Sequence, residues 1–188
     1  MESLMDTLVD RRTNNNAGLL PFSAPTYAQA RCFFGGLVRA MYRLEVVGTD
    51  HLPVTGPVVI APNHDSLLDG IVLGAAISRE LRFLAKAELW RSRLLAWVLD
   101  GLGAIGITRN CGDRVWHRGA ARMALVTGAP LVPVRLIGTT QALSRGRIGL
   151  PRLRIIIGEP IEVSRAPEEP VAATKLTERL RVAVESLA

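Results

Sequence analysis

Lysine is nearly missing from this chain: Lys86 and Lys175 are two of 23 cations, and the rest are arginine. Cysteine is equally sparse, with Cys32 and Cys111 alone and no Cys-x-x-Cys or Cys/His cluster, which excludes a structural zinc site and a disulfide scaffold. Aromatic residues make up 5%. With no RNA-binding aromatic motif or recognition-helix pattern, the net charge of +6 does not read as a nucleic-acid interface, and no nucleic-acid partner is expected. No apolar run reaches the roughly 18 residues of a membrane-spanning helix. The first residues carry Asp6, Asp10, Arg11 and Arg12 and lack the apolar core of a signal peptide. No internal repeat or low-complexity tract occurs. A cytoplasmic location is the expectation.

What is present is apolar: 48% of 188 residues, enough for a sizeable core in one domain. The basic balance suits an anionic lipid headgroup or membrane surface, and an arginine-rich composition bias would give the same sign.

The chain is organised around Pro62-Asn63-His64-Asp65-Ser66-Leu67-Leu68-Asp69. A β-rich run, Pro57 to Ala61, precedes it, and an apolar helical run, Gly70 to Ile77, comes after it. Strand-to-helix junctions are where α/β proteins place their chemistry. Within one helix, five residues turn about 500° and would point His64 and Asp69 apart by about 140°. With His64 in the junction, Asp69 can reach back to Nδ1–H, set the tautomer and leave Nε2 as a base. A second reading is open: Ser66-x-x-Asp69 is a capping-box pattern, in which Asp69 caps the helix and His64 is a loop residue.

Residues 1–25 are expected to be partly disordered, with polar, turn-rich Arg11 to Gly18 followed by Pro21 and Pro25. Residues 26–43 form an amphipathic helix, Tyr27 to Arg43. On its helical wheel Arg31, Arg39 and Arg43 oppose Phe33, Leu37, Val38 and Met41. Such a helix can lie in a membrane interface or dock on its own domain's core.

Residues 44–188 alternate strands and helices. Strands are expected at Leu44–Gly48, Val58–Ala61, Leu81–Ala85, Ala104–Thr108, Leu131–Ile137 and Leu153–Ile157. Helices are expected at Ser66–Ile77, Leu89–Leu99, Gly112–Thr127 and Val171–Leu187. Trp90, Leu94 and Trp97 would share a packed face, and Val115, Gly119, Met123 and Val126 fall near one face. Gly128-Ala129-Pro130 is a helix stop. Thr140 to Arg152 is a basic loop with Arg145, Arg147 and Arg152. The fold class is α/β: a single domain with a central mixed or largely parallel sheet flanked by helices, preceded by the amphipathic helix.

Asn63-His64 followed by Asp69 resembles the His-x4-Asp motif of the glycerolipid acyltransferases, typified by 1-acylglycerol-3-phosphate (lysophosphatidic acid) acyltransferase. Arg82 to Leu89 resembles the strand and turn that come next in that family. Gly103 to Arg109 resembles the second motif, a strand ending in Arg. Ala129 to Gly138 resembles the fourth, the Val-Pro-Val strand. The blocks run in the family's order over about Leu44 to Ile161.

The resemblance implies transfer of an acyl group from an acyl thioester, acyl-CoA or acyl-carrier protein, to the hydroxyl of a lysophospholipid or glycerol phosphate. The thioester is a co-substrate; no cofactor or metal is implied. His64 would be the base and Asp69 its orienting carboxylate. Asn63 would position the base or the reacting carbonyl, unless it is a turn residue. Arg109 would hold an acceptor phosphate through its guanidinium fork, unless it is a surface charge. Lys86 is a weaker phosphate contact. A peripheral position at the inner membrane face is also implied, with a role in phospholipid biosynthesis.

One departure stands out. The family's third motif, a Glu-Gly-Thr-Arg stretch ending a strand, is missing from the short bridge Asn110 to Gly119. Arg114, His117 or Arg118 would have to substitute for its arginine. The alternative function is a shortened, non-catalytic lipid- or acyl-carrier-binding member of the family.

Overall fold

The computed structural model describes residues 26–64, 66, 68–107, 116–144, 147–166 and 170–187, with 107, 116–118, 143, 144, 147 and 148 described by backbone alone. Helix α1 spans Tyr27–Met41, β1 Leu44–Val47, β2 Val59–Pro62, α2 Leu68–Ala76, β3 Leu84–Lys86, α3 Arg93–Gly101, β4 Ile105–Ile107, α4 Trp116–Thr127, β5 Leu131–Ile137, α5 Thr139–Ala142, β6 Leu143–Ser144, β7 Arg147–Ile148, β8 Leu153–Ile157 and α6 Pro170–Ser186. Two compact units emerge, one from Met1–Ala40 with Gly70–Cys111, the other from Met41–Asp69 with Gly112–Ala188.

The second unit holds a four-stranded mixed sheet in the order β1-β8-β5-β2. β2 and β5 run parallel, as do β1 and β8, while β5 and β8 are antiparallel. The class is α/β with a mixed, mostly parallel sheet flanked by helices. β5 and β8 are the inner strands. Their continuous apolar sequences suit burial on both faces, and Leu131, Val132, Val134, Leu153 and Ile155 are fully buried. Pro133 is tolerated here because the β5–β8 register begins one residue later, at Val134↔Ile157. Its carbonyl accepts Gly158 N–H at 2.9 Å.

α4 and α6 close one core around Ala121, Ala124, Leu125, Leu176, Leu180 and Val184. Within α4 the small Ala121 and Ala124 face inward and Val126 is exposed. Alanine lets two helices approach closely, so close packing rather than side-chain size selects the face. Gly128 ends α4 at φ +71° and donates to Ala124 O at 2.8 Å, the expected stop. The basic loop after β5 is more structured than expected, with α5 and the antiparallel β6–β7 hairpin; Arg145 lies outside the described residues.

The first unit contains a separate parallel pair, β3 and β4. The expected helix Leu89–Leu99 is broken. A 3-10 turn covers Ala87–Arg91, Ser92 is extended at φ −85° and ψ 118°, and its side chain accepts Leu95 N–H at 3.5 Å to start α3. Serine's preference for the N-cap outweighs helical continuity. The break shifts the phase: Trp90 is buried and donates to Asp100 Oδ1 at 2.8 Å, but Leu94 is 66% exposed. Helix α1 buries Ala30, Gly35 and Val38, and Arg39 Nη2 donates to Ala75 O at 2.8 Å. Phe33, Leu37 and Met41 form an exposed stripe at i, i+4 and i+8, so Val38 belongs to a different face from the one expected. The helix thus has one docked face and one open apolar stripe.

Candidate active site

β2 ends at Pro62, and the ladder with β5 continues one residue further, Asn63 N–H donating to Val134 O at 3.2 Å. The Asn63 amide then extends it by side chain: Nδ2 donates to Leu136 O at 3.1 Å and Oδ1 accepts Leu136 N–H at 2.7 Å. Two hydrogen bonds to one residue of β5 clamp the backbone immediately before His64. The amide is committed to this clamp, and the clamp fixes where the His64 backbone leaves the sheet.

His64 Nδ1 lies 2.8 Å from Asp69 Oδ2. The imidazole is half exposed, whereas the carboxylate is 1% exposed. Ser66 N–H also donates to Asp69 Oδ2 at 2.8 Å, and Ser66 Oγ accepts Leu68 N–H at 3.2 Å. The two readings of Asp69 therefore coincide on one oxygen. It closes the capping box of α2 and holds the imidazole.

Burial is the largest influence on the Asp69 carboxyl and pushes its pKa up. Hydrogen bonds from His64, Thr139 and the Ser66 amide together outweigh it, and the carboxyl sits below its ordinary range. An ionised carboxylate only accepts. Nδ1 therefore carries the hydrogen, and Nε2 is the nitrogen that can take up a proton. The arrangement can act as a general base whose orientation is set from a dry interior.

Lys86 is an exposed residue at the end of β3, in the other unit. Arg109 and Arg114 lie outside the described residues, and Arg118 and His117 are described by backbone only, within α4. The structure thus brings together His64, Asp69 and Asn63. Sequence reasoning missed Thr139, which lies seventy positions from Asp69 in the chain and carries no local motif. Ser66 was visible as half of a capping box. Among the described residues no group of three or more His, Cys, Asp or Glu could hold a metal ion.

The family described as Acyltransferase matches residues 43–115. The chloroplastic 1-acyl-sn-glycerol-3-phosphate acyltransferases of Brassica napus and Arabidopsis thaliana are each 24% identical over 66% of this chain, covering 47% and 45% of their own lengths. The chain spans about half the length of these relatives. The crystal structure of the 1-acyl-sn-glycerophosphate acyltransferase PlsC from Thermotoga maritima shares the fold, with a TM-score of 0.65 at 18% identity over 86% of this chain and 79% of that one. The resemblance to the glycerolipid acyltransferases thus holds in sequence and in fold.

Proposed function

We propose that this protein is an O-acyltransferase that moves an acyl group from a thioester to the hydroxyl of a lysophospholipid or glycerol phosphate. The observation that carries the reading is the 2.8 Å contact between His64 Nδ1 and the buried Asp69 carboxylate at a strand-to-helix junction. Nε2 of His64 takes the acceptor's hydroxyl proton as its oxygen attacks the thioester carbonyl. Collapse of the tetrahedral adduct breaks the C–S bond, and the departing thiolate receives that proton. Asp69 stabilises the imidazolium between the two steps. The thioester is already activated, so no acyl-enzyme is needed.

The acceptor phosphate is assigned to Arg109, with Lys86 and Arg118 as further cations. The missing third-motif arginine weakens this grip. One charge-assisted contact is worth about 1.5–3 kcal/mol, a roughly tenfold to more than hundredfold change in affinity. Activity is therefore expected to be weak, with a high KM. Peripheral membrane binding is supported by the exposed stripe of Phe33, Leu37 and Met41. No described helix is long and apolar enough to cross a membrane.

The test is acyl transfer to lysophosphatidic acid, with acyl-CoA and acyl-carrier protein as alternative donors, by wild type and His64→Ala. Turnover lost in the variant supports the reading. Equal turnover in both removes it, and a folded wild type that turns over no lysolipid leaves the non-catalytic member.

A further inference from the structure

β1 is an edge strand with little apolar anchoring. Among the described residues it pairs only with β8. None of its residues is fully buried, and Val47 is exposed. Glu45 reaches across the ladder to its register partner Arg154, Oε1 to Nε at 3.5 Å. Such a strand is held by its ladder and by the polar ties that cross to its neighbour.

A second tie sits just past the end of β1. Gly48 turns the chain at φ +76° into a 3-10 turn over Thr49–His51, and His51 N–H donates to Gly48 O at 3.1 Å. The imidazole folds back onto the segment that leaves β8. Nδ1 lies 2.8 Å from Ile157 O, and Nε2 lies 3.1 Å from Glu159 Oε1. A Cβ on Gly48 would strike the Ile157 carbonyl and crowd Nδ1, so glycine makes room for this contact. Both partners of the ring are acceptors, a carbonyl and a carboxylate. A neutral imidazole has one N–H and satisfies one of them; the imidazolium satisfies both.

We propose that His51 is a pH-sensitive clasp: as an imidazolium it ties the turn after β1 to the segment after β8, and loss of the Nε2 proton loosens this edge of the sheet. The Ile157 carbonyl is the strongest influence on the ring and raises its pKa. Burial opposes the rise, while Glu159 and Asp50, the charged groups that act on the ring, add to it. The pKa therefore lies above its ordinary value of 6.5. The neutral ring keeps Nδ1–H on Ile157 and turns a lone pair toward Glu159, so the proton that leaves is the one on the carboxylate side. A group whose folded pKa is raised adds stability that is full below the unfolded value and is lost as pH rises through the folded one. Glu159 is 81% exposed, so salt screens its share of the effect. The clasp is independent of the acyl-transfer reading. β8 runs antiparallel to β5, so its C-terminal end lies away from the end of β2 that leads to His64.

The experiment follows the His51 ring by NMR titration at low salt, assigned with His51→Gln. It also compares denaturant unfolding of wild type, His51→Gln and Glu159→Gln from about pH 5.5 to about pH 8.5. The ring should titrate above 6.5 in wild type and at lower pH in Glu159→Gln. The stability advantage of wild type over His51→Gln should be largest in acid and shrink as pH rises through the ring's titration. That difference isolates His51 from His64 and His117, which both proteins keep. Amide-exchange protection along the β1–β8 ladder should fall in the same range in wild type and stay level in His51→Gln. A wild-type ring that titrates at or below 6.5 overturns the proposal. So does a stability gap that is the same at both ends of the range, or a Glu159→Gln ring that titrates with wild type. If circular dichroism shows His51→Gln unfolded, Glu159→Gln carries the stability reading, and its gap from wild type should shrink over the same range.

Discussion

The inner strands of one unit and two helices of the other treat their apolar residues differently. In the unit that carries His64, inner strands β5 and β8 hold Leu131, Val132, Leu153 and Ile155 out of water entirely. In the unit that carries α3 and most of α1, Phe33 is 68% and Leu94 66% exposed, with Leu37 and Leu95 also exposed. Both stretches look apolar as sequence. In the first, apolar side chains stabilise a scaffold that clamps Asn63 and seals Asp69. In the second, they stay exposed on α1 and α3; under the proposed function their partner is lipid.

The largest expected effect is on chemistry. His64→Ala should lower kcat by about 10²–10⁴-fold, the usual contribution of a general base. Because the ring is half exposed, melting temperature should change little. A variant that unfolds would instead place His64 in the scaffold.

The core comparison comes next. Ile155→Ala should cost about 2–5 kcal/mol in denaturant unfolding, while Leu94→Ala should stay within about 0.5 kcal/mol. Equal losses would mean that the exposed leucine packs in solution and would erase the contrast between the units.

A smaller effect is expected at the membrane. Phe33→Ser with Leu94→Ser should weaken flotation with anionic liposomes by on the order of tenfold, more at high salt, with unchanged unfolding. Binding that ignores the double substitution would assign these side chains to some other partner.

The smallest effect concerns pH. The Asp69 carboxyl in the folded protein lies below its ordinary value of 3.8. Folding then favours the ionised form, so the contribution to stability is present above the unfolded value and is lost as pH falls through the folded one. The stability gap between wild type and Asp69→Asn should be constant near neutrality and shrink in acid below about pH 3.8. A gap that widens in acid would reverse the sign of the shift.

Much of this architecture is legible along the chain. The strands Leu131–Ile137 and Leu153–Ile157 coincide with the expected ones, because an uninterrupted apolar run bounded by Pro or Gly leaves few alternatives. The His64–Asp69 pair is readable because the junction breaks helical phase over five residues. Less legible are places where two local preferences compete. Ser92 sits inside a helical pattern yet caps a new helix. Capping and orienting look like rival roles for Asp69 in sequence, yet one carboxylate oxygen accepts from both the Ser66 amide and His64.

The sequence alone determined the α/β alternation, the helix stop at Gly128 and the two side chains of the base, since each depends on neighbours within a turn or two. Tertiary structure decided which apolar residues are buried. On α1, periodicity groups Phe33 and Val38 as one apolar set, but only packing separates a docked face from an open stripe. It also decided that Asn63 would commit its amide to Leu136. That contact joins residues about seventy positions apart, and it exists because parallel strands β2 and β5 lie side by side, a register that no local stretch encodes.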